Sequence, residues 1–135
     1  MSTQTFPADV RYLDQVREFV GGIARAAGFS EKGIYAVQLA ADEAASNIIE
    51  HAYGGRTDRK FRLHCEVQGD HIVLTFFDRG ESFDFTNVEE PDITANLSER
   101  KIGGLGIFLM HKLMDEVEYK VTKSGNFLTL IKRKS

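Results

Sequence analysis

The chain has 135 residues, of which 42% are hydrophobic, and it carries a formal net charge of −3. This length predicts one domain, residues 1–135, while the charge argues against direct nucleic-acid binding and no apolar run reaches the roughly 18 residues of a membrane span. The single cysteine, Cys65, and the lack of a signal-peptide pattern predict a cytoplasmic protein with no membrane partner.

Two helices are predicted to follow a weak strand signal at residues 2–6. Apolar residues at helical spacing predict the first helix over residues 9–27, with Gly28 as its end. Ser30 is a suitable N-cap for a second helix, which we expect over residues 31–53.

A half-buried hairpin is predicted next. Residues 61–67 alternate between apolar and polar side chains, and Gly69-Asp70 provides a two-residue turn with Gly in the positive-φ position. Residues 71–77 are apolar on both faces and should form a central strand. The following segment, 79–102, has no clean period, and a loop of this length in a compact domain is usually functional or disordered.

The end of the chain predicts a third helix and a second hairpin. The helix is expected from Gly103 to about residue 115, followed by a strand over residues 117–121. Gly125-Asn126 should turn the chain into a last strand, residues 127–132. Helices grouped beside hairpins predict an α+β fold, a two-layer α/β sandwich with the helices on one face of a mixed, mostly antiparallel sheet.

The second helix carries a polar stripe. In AADEAASNIIEHAY, Glu43, Asn47 and His51 recur every four residues, and the small residues Ala36 and Ala40 continue the same side. One interpretation is a solvent-facing stripe, with His51 favoured electrostatically near the helix C-terminus; the other is a polar surface with room for a ligand. The opposite side is predicted to face the core with Ile34, Val37, Ala41, Ala44, Ala45 and Ile48.

Two glycine-marked loops are candidate ligand sites. In FFDRGESFD, Asp78 ends the central strand, and Gly80 permits a sharp turn or the close approach of a ligand. A carboxylate at this point can accept a hydrogen bond from the exocyclic amine of adenine. The same Asp-x-Gly sequence is also a common turn without a ligand.

The second loop, RKIGGLGIFLM, leads directly into a helix. Backbone N–H groups at Gly103, Gly104 and Gly106 can hold phosphate there, helped by the helix dipole. The segment is neither a Walker A loop nor a G-x-G-x-x-G motif. Arg100 and Lys101 lie just upstream, where they can either reach a terminal phosphate or remain an exposed pair.

In order and spacing, three segments resemble the N box and the two glycine boxes of the Bergerat-fold ATPases: DEAASNIIEHAY, DRGESFD and GGLGIFLM. The resemblance covers nearly the whole chain and is strongest to the anti-sigma-factor serine/threonine kinases of bacteria. It implies that Glu43 is the general base and that the amide oxygen of Asn47 holds Mg²⁺ against the phosphates of ATP. It also implies that Asp78 binds adenine with support from Gly80. It changes nothing for His51, which we continue to interpret as structural.

The same resemblance places the phosphate loop at Leu105 and its neighbouring glycines, and the ATP lid at about residues 81–102. Either Arg100 or Lys101 would then meet the γ-phosphate, and the sequence leaves open which of the two does so.

The sequence departs from the family pattern before its last strand. Many Bergerat proteins have a Gly-Thr pair there, and the threonine hydroxyl supports the adenine-binding aspartate. This chain has Gly125-Asn126 instead, and Thr129 lies three residues further on. The sequence therefore leaves open which residue supports the carboxylate of Asp78.

The function implied by the resemblance is that of an ATP-dependent anti-sigma-factor serine/threonine kinase. Such a protein binds a sigma factor through surfaces that include the first helix, phosphorylates an anti-sigma-factor antagonist and often forms a homodimer. A second hypothesis is a nucleotide-gated module that binds its partners without phosphotransfer. A histidine-kinase catalytic domain is disfavoured, because the chain has no room for a phosphoacceptor helical hairpin.

Overall fold

The computed structural model describes residues 2–82 and 104–134. Within these ranges the chain forms five strands and three α-helices. The strands are β1 (Ser2–Pro7), β2 (Lys60–Gln68), β3 (His71–Asp78), β4 (Glu116–Val121) and β5 (Asn126–Arg133). The helices are α1 (Leu13–Ala26), α2 (Glu31–Asn47) and α3 (Gly104–Leu113).

The strands form one sheet in the order β1-β2-β3-β5-β4, with β3 at its centre as predicted. All four pairings between the described strands are antiparallel, so the expectation of a mixed sheet is wrong in that detail. The connectivity explains the difference. The chain leaves β3, passes through α3 to the edge strand β4, and returns as β5 beside β3, which makes β5 antiparallel to its neighbour.

The core lies between the helices and one face of the sheet. In β3, Ile72, Leu74 and Phe76 are fully buried, whereas the alternate residues are only half-buried. The rings of Phe6, Phe61 and Phe76 stack across three adjacent strands, with centroid distances of 5.7 and 6.3 Å. This one-sided burial confirms the two-layer α+β architecture.

The first helix begins later than predicted. Asp9 caps a short 3-10 turn, Val10–Tyr12, by accepting a hydrogen bond from the backbone nitrogen of Arg11 at 3.0 Å. The regular helix α1 follows from Leu13 to Ala26. An aspartate that bonds the backbone two residues ahead stabilises a tight turn, which is why the predicted start at residue 9 was wrong.

The second helix has the predicted extent but not a uniform geometry. Ser30 caps it, since its hydroxyl accepts a hydrogen bond from the backbone nitrogen of Gly33 at 3.1 Å. Its last five residues, Ile48–Ala52, form a π-helical turn. The helix packs against both α1 and α3, so that Ala36 and Ala40, expected on an open side, are buried together with the predicted core residues.

The first hairpin matches its prediction and the second does not. Gly69 adopts a φ of 60°, as the two-residue turn requires. The second turn covers residues 122–125, and Asn126 is already the first residue of β5.

None of the helices in the described ranges combines the length and apolar character of a membrane span.

Candidate functional site

Three predicted site residues meet where α2 lies beside the start of α3. Glu43 and Asn47 are one turn apart on α2, and Gly106 lies in the first turn of α3. A β-carbon at Gly106 would lie 2.7 Å from the Glu43 Oε2 atom and 3.4 Å from the Asn47 Nδ2 atom. Only a glycine permits this approach, so the helix backbone and both polar side chains share one small space.

The carboxyl group of Glu43 is in a setting that favours its protonated form. Partial burial raises its pKa above the ordinary range, and the negative charges of Asp42 and Glu50 raise it further. Asp42 itself accepts a hydrogen bond from Arg17 on α1. A carboxylate that binds protons more tightly than usual is suited to accepting one from a hydroxyl group.

Asn47 provides an unused polar group inside the protein. Its side chain is 6% exposed, and its amide nitrogen has no hydrogen-bond partner among the described residues. Rotation of the amide by 180° would bring the oxygen to the same position. Buried amides normally have partners, so this one fits a ligand that the polypeptide does not supply.

The residues present fit a magnesium ion that takes most of its ligands from elsewhere. In the described ranges there is no group of three or more His, Cys, Asp or Glu side chains that could hold a metal ion. Mg²⁺ commonly uses one or two protein oxygens, with substrate phosphates and water completing its octahedron. An amide oxygen such as that of Asn47 is chemically able to be one of these protein ligands.

The second part of the site lies at the end of β3. Asp78 is 4% exposed and points to the core side of the sheet. Its Oδ1 atom accepts hydrogen bonds from the backbone nitrogen of Gly80 at 2.9 Å and from the Asn126 amide nitrogen at 3.0 Å. Burial raises the pKa of Asp78, while these two hydrogen bonds act in the opposite direction.

Gly80 joins the two parts of the site through the π-helical turn. A β-carbon at Gly80 would clash with the carbonyl group of Ala52, the last residue of that turn. The same carbonyl oxygen accepts a hydrogen bond from the backbone nitrogen of Glu81 at 2.8 Å. The end of β3 is therefore fixed against the helix that carries Glu43 and Asn47.

A cavity of about 800 Å³ adjoins the end of β3. Its walls include His51 and Ala52 of the π-helical turn, and Arg79 and Gly80 after β3. The volume is in the range of small-molecule pockets. Glu43, Asn47 and Asp78 do not line it, so the cavity borders the end of β3 and does not contain the proposed catalytic groups.

Some predicted site residues cannot be placed. Arg100, Lys101 and Gly103 lie outside the described residues, as does most of the expected lid, from residue 83 onward. Gly104 and Leu105 are the first two residues of α3, so the glycine-rich segment does begin a helix as expected.

Two residues that organise the end of β3 were not predicted from the sequence. Asn126 was assigned to a turn, although it begins the buried alternation continued by Leu128 and Leu130, and a polar residue on a core face is a detectable signal. Tyr53 was treated only as a helix end. Its hydroxyl donates to the Lys60 carbonyl oxygen and accepts from the Arg79 backbone nitrogen, both at 2.8 Å.

Comparisons with known proteins find relatives that match most of the chain. A family model described as a histidine kinase-like ATPase domain matches residues 6–132. A serine-protein kinase RsbW from Halalkalibacterium halodurans is 35% identical over 95% of this chain and 80% of its own length. A protein of the same name from Listeria monocytogenes is 32% identical over 86% of this chain and 76% of its own length.

A solved structure shows the same fold. The crystal structure of the RsbU and RsbW domains of a Mycobacterium tuberculosis protein aligns with a TM-score of 0.67 at 17% identity. The alignment covers 99% of this chain, which spans 33% of that longer chain. With the family model and the relatives above 30% identity, the chain belongs to the histidine kinase-like ATPase family, and within it to the anti-sigma-factor protein serine/threonine kinases.

Proposed function

We propose that this kinase uses Mg·ATP to phosphorylate a serine or threonine of an anti-sigma-factor antagonist, and that it also binds a sigma factor. The observation that carries the proposal is the meeting of Glu43, Asn47 and Gly106 at the start of α3. It brings a proton acceptor, a metal ligand and the N-terminal amides of a helix into one space, which is what phosphoryl transfer to a hydroxyl needs.

Glu43 acts as the general base in this proposal. Its raised pKa supports the assignment, because the carboxylate then accepts the hydroxyl proton more readily as the bond to phosphorus forms. Asn47 contributes its amide oxygen to the metal. When bound, Mg²⁺ neutralises charge on the phosphates and fixes their orientation. The first amides of α3 donate to phosphate oxygens, so most of the catalysis is positioning and charge stabilisation.

Asp78 binds the other end of the nucleotide. Its Oδ1 atom is occupied by two donors from the protein. The Oδ2 atom therefore accepts the hydrogen bond from the exocyclic amine of adenine. The fixed contact between Gly80 and Ala52 sets the distance between this acceptor and the phosphate end.

The partner surface that we propose is the exposed side of α1. On α1, Val16 and Val20 are buried, while Asp14, Gln15 and Glu18 face solvent. We assign this outer side of α1 to the sigma factor, with the protein acting as a homodimer in the cytoplasm. A non-obligate interface is about as polar as the rest of a protein surface, so an exposed polar face is compatible with this assignment.

Transfer of labelled phosphate tests the proposal. The kinase is incubated with γ-labelled ATP, Mg²⁺ and the purified antagonist, and the modified residue is identified by mass spectrometry. We expect label on one serine or threonine, dependent on Mg²⁺ and lost in Asn47→Ala. A nucleotide-gated binding module would bind ATP and its partners but transfer no label, and that result would overturn the proposal.

A further inference from the structure

Asn126 lies directly opposite Asp78 in the sheet. The two residues are cross-strand partners in β5 and β3, and both side chains point to the core side. Asn126 is 3% exposed. Cross-strand partners are the closest neighbours in an antiparallel sheet. The strand pairing therefore brings the side-chain amide of Asn126 next to the carboxylate of Asp78.

Both amide hydrogens of Asn126 have acceptors. The Nδ2 atom donates to the Asp78 Oδ1 atom at 3.0 Å and to the Gly80 carbonyl oxygen at 2.9 Å. Together with the bond from the Gly80 backbone nitrogen, these contacts hold the carboxylate and the adjoining loop in one orientation. Among the described residues, no hydrogen-bond donor contacts the Oδ2 atom of Asp78.

We propose that Asn126 is a positioning residue that makes the nucleotide site selective for 6-amino purines over 6-oxo purines. The proposal rests on the proposed function, specifically on the role of Asp78 in binding the base. Asn126 acts through Asp78 and does not itself touch the nucleotide.

The selectivity follows from hydrogen-bond chemistry. An ionised carboxylate is only an acceptor, so its free Oδ2 atom pairs with the amine of adenine and repels the carbonyl oxygen of hypoxanthine or guanine. A protonated or rotated carboxyl group can donate, and it then no longer distinguishes the two classes of base. Donors on Oδ1 favour the ionised form, against the burial that raises the pKa of Asp78.

A structural role alone would have a different consequence. If Asn126 only stabilised the fold at the β3–β5 pair, its loss would weaken the binding of every nucleotide in the same proportion. A positioning role changes the ratio of affinities, because the binding of ATP depends on the acceptor and the binding of ITP does not.

The test compares ATP and ITP binding by calorimetry, with Mg²⁺ and the full chain, at a temperature where each variant is folded by circular dichroism. Asn126→Leu removes both donors at similar volume, and Asn126→Ala removes them without placing a larger apolar group beside the Asp78 carboxylate. Thr129→Val is the matched control, since it removes a polar group from the half-buried face of the same strand, three residues away.

We expect the wild type and Thr129→Val to prefer ATP, and Asn126→Leu to lose roughly tenfold of that preference through weaker ATP binding. Asn126→Ala should show the same loss, and it decides the test alone if Asn126→Leu does not fold. An unchanged ATP-to-ITP ratio in the folded Asn126 variants would overturn the proposal. A wild type that bound no ATP would instead overturn the proposed function, so the two failures are distinguishable.

Discussion

At the scale of single residues, the site places carboxyl groups where they are less easily ionised than usual. The pKa of Glu43 is raised by burial and by two neighbouring acids, and that of Asp78 is raised by burial. Such groups lower the free energy of unfolding at neutral pH, because the native state holds protons more tightly than the unfolded state does. Raised carboxyl pKa values are typical of functional sites.

Replacing Glu43 should therefore stabilise the protein while removing its activity. With a raised native pKa, the wild type is most stable at low pH and loses stability as the pH rises through the ordinary glutamate range to the raised value. Glutamine does not titrate, so Glu43→Gln does not lose stability in this way. We expect the variant to have a higher melting temperature than the wild type at pH 7, and the difference between the two melting temperatures to become smaller toward pH ~4. Thermal unfolding across this range measures it.

The matched control is Glu18→Gln, which makes the same substitution on the exposed side of α1. It should leave the curve close to that of the wild type. If Glu43→Gln were less stable than wild type at pH 7, the description of Glu43 as a carboxylate strained by its surroundings would be wrong.

Replacing Asp78 should weaken adenine binding without unfolding the sheet. In Asp78→Asn the amide oxygen can still accept from Gly80 and Asn126, whereas a donor replaces the atom that faces the amine. We expect ATP binding to weaken by ~1–3 kcal/mol in calorimetry. Asp70→Asn, in the exposed turn of the first hairpin, is the control. Unchanged ATP affinity in a folded Asp78→Asn protein would remove Asp78 from the site.

At the scale of elements, the π-helical turn and the start of α3 determine the geometry of the site. The turn Ile48–Ala52 ends α2 with a carbonyl group that contacts Gly80 and Glu81. Single π-helical turns inside helices are frequent at functional sites. Here the turn connects the helix of the proposed catalytic residues to the strand end of the proposed adenine site.

The approach of α3 to α2 can be tested at one glycine. Gly106→Ala should favour helix formation, but its β-carbon would displace the Glu43 carboxylate, whose flexible end lies 2.7 Å away. We expect a stable protein with reduced phosphotransfer, measured with labelled ATP and the antagonist. Gly22→Ala is the control, since no atom lies within 4 Å of its β-carbon, and it should gain about 0.5–1 kcal/mol in stability with full activity. Full activity in Gly106→Ala would contradict the assigned contact.

At the scale of the whole molecule, the sequence predicts the elements better than their junctions. Periodicity is enough for the helices, the strands and the central place of β3, because it is a property of local runs of residues. The polar stripe was ambiguous from α2 alone. The presence of three motifs in order identified Glu43, Asn47 and Asp78 as candidates, and the fold brings Glu43, Asn47 and Gly106 together.

The features that the sequence did not predict depend on contacts between distant residues. Asn126 follows a glycine and resembles a turn residue locally, but its pairing with Asp78, 48 positions earlier, extends the strand through it. Ala36 and Ala40 were expected on an open side because the covering elements are separate in sequence. Local propensity competes with tertiary pairing at such positions, and the pairing decides the structure.

The phosphotransfer rate of Glu43→Gln, measured in a single turnover with bound Mg·ATP and the antagonist, tests the central claim most directly. If Glu43 accepts the hydroxyl proton while Asn47 holds the metal ion and α3 holds the phosphates, the variant should bind ATP with nearly unchanged affinity and transfer phosphate ~10²–10⁴-fold more slowly than wild type. Transfer at the full wild-type rate would contradict the assignment of the general base, and positioning of the phosphates alone would then have to account for the reaction.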